Sequence, residues 1–169
     1  MAAKIAKFKH VLLVEDDSWD VELMLGALEA ARQASQVTVV DNGAEAIDYL
    51  NRDGKFATRT TGNPVFVLLD NKMPKVDGLE VLKYMKASDD FRMIPVVLFT
   101  SSREMSDLRE FYQHGVNAYV VKPVDVSEFM NAVQKIMNFW GAINEPPYGC
   151  QSEEAVHRNG TQALAEQSV

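Results

Sequence analysis

The chain has a single cysteine, Cys150, among 169 residues. An internal disulfide is therefore excluded, and with no Cys or His cluster around it the residue reads as a free thiol. Apolar runs are short: none approaches the roughly 18 residues of a membrane-spanning helix, and the opening MAAKIAKFKH lacks the apolar core of a secretory signal. A cytoplasmic protein with no membrane partner is the expectation. Positive charge is also scarce, with 17 Lys and Arg against 24 Asp and Glu, a net charge of -7. That balance argues against binding nucleic acid, where affinity comes from cationic side chains displacing counterions. At this length and 47% apolar content the chain can bury one core but not two full ones. One domain over 8–140 and a tail over 141–169 are expected.

What is present is a rhythm. Five short, β-branched apolar runs recur: HVLLVE (10–15), VTVVD (37–41), VFVLLD (65–70), VVLFT (96–100) and AYVVK (118–122). Continuous runs of this kind suit strands buried on both faces, as in a parallel sheet. Helical patterns fill the gaps. The first puts Val21, Met24, Leu25, Leu28 and Ala31 on one face, with Ser18 as N-cap and Asp20 and Glu22 in the first turn. GAEAIDYL, DGLEVLKYMK and SREMSDLREFYQHG follow, the last stopped by Gly115. VSEFMNAVQKIMNFW aligns Val126, Phe129, Met130, Val133, Ile136, Met137 and Trp140 in one stripe. Right-handed crossovers turn this (βα)5 order into a flavodoxin-like, doubly wound α/β sheet with strand order 2-1-3-4-5. The polar stretch at 51–64 is long for a connection, and 141–169, with two prolines and three glycines, reads as a tail.

In such a sheet ligands bind beyond the carboxyl ends of the strands. Strand one ends in Glu15, Asp16 and Asp17, strand three in Asp70, strand four in Thr100, Ser101 and Ser102, and strand five in Lys122. Strands one and three lie about 5 Å apart, so at least three carboxylates crowd one edge, and like-charge repulsion is expected to raise the pKa of at least one of them. A hard divalent cation relieves that repulsion. Mg2+ accepts one or two carboxylates and completes its shell with water and phosphate oxygens, while Lys122 and the Thr100 hydroxyl suit phosphate oxygens. EDDS alone has the ordinary reading of helix capping, and Asp77 that of a helix start. Convergence of four strand ends favours a site.

VLLVEDD, VLLDNKMPKVDG, VVLFTSS and AYVVKPV together resemble the receiver domain of two-component response regulators, over roughly 8–140. The resemblance implies that Asp70 accepts a phosphoryl group from a sensor histidine kinase. It implies that Glu15, Asp16 and Asp70, with the Lys72 main-chain carbonyl, hold Mg2+, and that Thr100 and Lys122 contact the phosphoryl group. Tyr119 matches the aromatic position that switches with Thr100, and Lys122–Pro123 a peptide bond that is commonly cis. Glu15 stands where the family more often has Asp. FTSSREMSD, GVNAYVVKPVD, NFW and the 51–64 loop further resemble small regulators partnered with phytochrome-like kinases.

Only 29 residues follow Trp140, too few for a DNA-binding module, so a stand-alone regulator acting through protein contacts is expected. It is not an enzyme in its own right, although it contributes to its own phosphotransfer and dephosphorylation. A histidine phosphotransfer protein is a further candidate partner. A homodimer is expected through the last helices, strand five and the tail. The alternatives are an aspartyl-phosphate phosphatase, which needs a second aspartate where Lys72 stands, and a degenerate receiver acting as a scaffold.

Overall fold

A computed structural model describes residues 9–30 and 37–147. Its strands are β1 (Val11–Val14), β2 (Val37–Val40), β3 (Val67–Leu69), β4 (Val96–Thr100) and β5 (Ala118–Val121). Between and after them run α1 (Ser18–Ala30), α2 (Gly43–Asn51), α3 (Gly78–Ala87), α4 (Met105–Gln113) and α5 (Val126–Asn138). All pairings are parallel and the sheet order is β2-β1-β3-β4-β5, the order the alternation predicts. β1 and β3 reverse the direction of winding, so their ends form the crevice.

Successive strand residues point to opposite faces, and the cores divide accordingly. Leu12, Val14, Val67, Leu69, Val96 and Leu98 pack with Tyr49 and Leu50 of α2, Leu82 and Met85 of α3 and Phe111 of α4. Val11, Leu13, Leu68, Val97 and Phe99 pack with Met24 and Leu28 of α1 and Val133 and Met137 of α5. The central strands are wholly buried, as a two-sided cover requires, whereas β2 and β5, being edges, are mostly half-buried.

Several local expectations shift. Asp17, not Ser18, caps α1: its Oδ1 accepts from the backbone N–H of Trp19 and Asp20, which leaves Ser18 as the first helical residue. Ala27 joins Met24 and Leu28 in the buried face, while Val21 and Leu25 are only half-buried; Ala31 lies outside the described residues. Val126, at the first position of α5, is 47% exposed. The Lys122–Pro123 bond is trans, like every described peptide bond.

The polar stretch after α2 is built rather than loose. Arg52 closes α2 in the left-handed region at φ 61°, a 3-10 turn spans Gly54–Phe56, and Arg59 lies 4.2 Å above the Tyr49 ring. The same guanidinium donates to the carbonyls of Tyr49, Thr61 and Gly62. At the other terminus α5 passes into a π-helical turn, Phe139–Ile143, where Lys9 N–H donates to the Gly141 carbonyl at 3.2 Å and Lys9 Nζ reaches Asn144 O and Glu145. Among the described residues no helix is long and apolar enough to cross a membrane. Cys150 and the rest of 148–169 lie outside the described residues.

Candidate phosphoacceptor and cation site

The sheet's own hydrogen bonding sets the site. One step past the strands, Glu15 N–H donates to Val40 O at 3.0 Å, Asp70 N–H to Val14 O at 2.9 Å and Lys122 N–H to Thr100 O at 2.8 Å. Each functional side chain is thus anchored to a neighbouring strand before its own contacts are counted. Glu15, Asp16 and Asp70 each present a carboxylate oxygen within 4.8 Å of the others. Glu15 is 2% and Asp70 7% exposed, whereas Asp16 faces solvent.

Lys122 Nζ joins these acids. It lies 2.7 Å from Glu15 Oε2, 2.7 Å from Asp20 Oδ2 and 3.3 Å from Asp70 Oδ1. Burial pushes the Glu15 carboxyl up to about 7 despite the lysine beside it, and pushes Asp70 up as well. Burial would lower the Lys122 ammonium, but Asp20 and Glu15 outweigh it and hold the group charged well above its usual range. One ammonium therefore faces three carboxylates, with Asp16 beside them in the acid cluster, and the two most buried acids sit closest to protonation. A hard, oxygen-seeking divalent cation fits this donor set: its charge would offset the burial that raises Glu15 and Asp70.

The remaining predicted residues surround that centre. The Lys72 N–H donates to Asp70 Oδ2 at 3.2 Å, fixing the rotamer of the carboxylate, while the Lys72 side chain is exposed. Thr100 is 1% exposed, and its Oγ1 accepts from the Ser102 N–H at 3.2 Å. The Tyr119 hydroxyl donates to Ser102 O at 3.2 Å, and its ring meets Phe111 edge-on. Thr100 and Tyr119 are therefore tied to the same residue, Ser102, whose own hydroxyl donates to Asp107 in the first turn of α4.

Three contributors are not visible as such in the sequence. Asp20 reads there as a first-turn acid; the structure turns it onto Lys122. Ser102 reads as a small strand-end residue and proves to be the joint between β4 and α4. Gly78 reads as part of a helix start, which it is: Asp77 accepts from Glu80 N–H and Glu80 caps back. Yet a Cβ on Gly78 would stand 2.2 Å from Asp70 O and 2.9 Å from Asn71 Cα. Only glycine lets α3 start against the Asp70 backbone, which the Gly78 N–H to Asn71 O bond of 2.8 Å then holds.

Comparison with known proteins gives the family and the fold. The probable methanogenesis regulatory protein FilR2 of Methanothrix harundinacea is 37% identical over 137 residues, 81% of this chain and 86% of that protein. The bacteriophytochrome response regulator RtBRR is 49% identical and superposes with a TM-score of 0.66, over 95% of each chain. The Mn(2+)-bound form of response regulator Rcp1 is 31% identical with a TM-score of 0.73, over 82% of this chain and 99% of that one. Residues 11–134 match the response regulator receiver domain, and the chain belongs to that family.

Proposed function

We propose that the chain is a response regulator that takes a phosphoryl group onto Asp70 from a sensor histidine kinase, in a Mg2+-dependent reaction, and signals through protein contacts. The carrying observation is the pairing of a buried Asp70 carboxylate with the Lys122 ammonium 3.3 Å away, inside a cluster of acids. Glu15, Asp16, Asp70 and the Lys72 carbonyl would hold the cation. Mg2+ would supply positive charge to the oxygens of the transferring group and to the cluster itself.

The chain's own groups do the rest. One Asp70 oxygen attacks phosphorus in line, the bond from phosphorus to the donor's imidazole nitrogen breaks with its electron pair going to nitrogen, and an acyl phosphate remains. Lys122 neutralises charge on the phosphoryl oxygens. The buried Thr100 hydroxyl donates to one of them, and its movement tugs Ser102, to which Tyr119 is bonded. Water attack at phosphorus later frees Asp70 and inorganic phosphate, so the protein limits its own signal. A histidine phosphotransfer protein is an alternative phosphoryl partner of the same chemistry.

Similarity to a bacteriophytochrome response regulator supports a phytochrome-like kinase as partner. We also assign 8–140 to the receiver and 141–169 to an arm for a homodimer formed with the last helices and β5. Phe139 and Ile143, 48% and 61% exposed on one turn, support this. Ile143→Glu in the full chain should convert a dimer to a monomer in light scattering; a monomeric wild type would remove the idea. For the main reading, protein is incubated with acetyl phosphate and Mg2+, beside Asp70→Asn and beside a chelator. Wild type alone should gain a base-labile phosphoryl group by intact mass, and equal labelling of Asp70→Asn would overturn the reading.

A further inference from the structure

Of the three carboxylates on Lys122, Glu15 and Asp70 belong to the cation cluster and Asp20 does not. An acid in the first turn of a helix is ordinarily explained by the helix dipole. Asp20 does more: its side chain is 22% exposed and its Oδ2 lies 2.7 Å from an ammonium that is itself 10% exposed. That contact is as short as the one to Glu15 and shorter than the one to Asp70. The Asp17 cap, which accepts from the Asp20 N–H at 3.2 Å, fixes the turn that aims it.

The three contacts cannot all survive phosphotransfer unchanged. Once Glu15 and Asp70 oxygens serve a divalent cation, their attraction for Lys122 is shared, and the ammonium is repelled by the like charge. Asp20 can hold Lys122 without drawing on that cluster. We infer that Asp20 is a positioning residue for phosphotransfer, anchoring Lys122 at the mouth of the site while Glu15 and Asp70 are engaged. The inference rests on the phosphoacceptor reading above.

Two measurements test it in the full-length protein. The first is the rate at which an amine-reactive reagent modifies Lys122, read by peptide mass with saturating Mg2+ and no phosphodonor. Loss of a charge-assisted bond should raise that rate about tenfold in Asp20→Ala, and Asp20→Glu should restore protection. The second is a double-mutant cycle on labelling by acetyl phosphate. Asp20→Ala should slow labelling about tenfold but add nothing in a Lys122→Ala background, because its effect passes through the lysine. Asp20→Asn, checked for native circular dichroism, guards against a folding artefact. Unchanged Lys122 reactivity, or losses that simply multiply in the double variant, would overturn the inference. An unlabelled wild type would instead overturn the underlying reading.

Discussion

At the amino end of the sheet Arg59 lies over Tyr49, His10 bonds the Tyr49 hydroxyl, and Thr61 bonds it too. At the carboxyl end two buried acids share one lysine with Asp20. Both ends gather polar groups, yet they are completed differently. The guanidinium at the amino end donates from its two terminal nitrogens to backbone carbonyls, while its buried Nε has no hydrogen-bond partner, and no acid cluster surrounds it among the described residues. The carboxyl end keeps surplus negative charge in a place where burial disfavours it, which costs stability. The difference separates a structural end from a chemical one, and it can be broken from either side.

The largest effect is expected at the structural end. Tyr49 is 1% exposed and carries the Arg59, His10 and Thr61 contacts, so Tyr49→Ala should cost about 3–5 kcal/mol in urea denaturation. Divalent-cation affinity of the folded fraction should not move. A comparable loss of affinity would mean that the two ends are coupled.

Next comes the pH dependence of the chemical end. With Glu15 raised from 4.5 to about 7 in the folded state, the native protein keeps a proton that the unfolded chain has released. Stability is then highest below 4.5 and falls as pH rises through 7, by about 3 kcal/mol from this group. Asp70, also raised, acts in the same direction, and Lys122 stays charged throughout. Denaturation in chelator across this range should show the decline, Glu15→Gln should flatten it, and Mg2+ should reverse it at the alkaline end. A flat wild-type profile would place the surplus charge elsewhere.

Smaller losses sharpen the boundary of each region. Gly78→Ala must displace the Asp70 backbone, so about 1–3 kcal/mol of stability should be lost, together with acetyl phosphate labelling; full labelling would show that the acceptor tolerates the shift. Lys9→Ala removes bonds to Asn144 O and the exposed Glu145. It should cost less than about 1 kcal/mol and leave labelling untouched. A larger loss would show that the turn after α5 is integral to the receiver.

The fold was legible because strand and helix alternation is written locally: β-branched runs mark the central strands, and the buried stripe of α5 holds at Phe129, Val133, Ile136 and Met137. α1 was harder. Val21, Leu23, Met24, Leu25, Ala27 and Leu28 make nearly every side apolar, so no stripe singles out the face that packs on α5. Asp17 and Ser18 are both good caps, and only the path of the chain leaving β1 decides between them. At the site, residue types at strand ends bring Glu15, Asp16, Asp70, Thr100 and Lys122 to one edge. Asp20's partnership spans 102 residues, and the Ser102 bond to Asp107 depends on how the loop into α4 turns; neither leaves a local pattern.

Whether the chemical end is built to carry a phosphoryl group on Asp70 is tested most directly by trapping it. Borohydride delivers one hydride to the acyl carbon of an acyl phosphate, expelling phosphate to leave the aldehyde, and a second hydride reduces that to homoserine in place of the aspartate. After treatment with acetyl phosphate and Mg2+, peptide sequencing by mass should find homoserine at position 70 and nowhere else. Homoserine at position 16 or 20, or none in folded wild-type protein, would contradict the assignment.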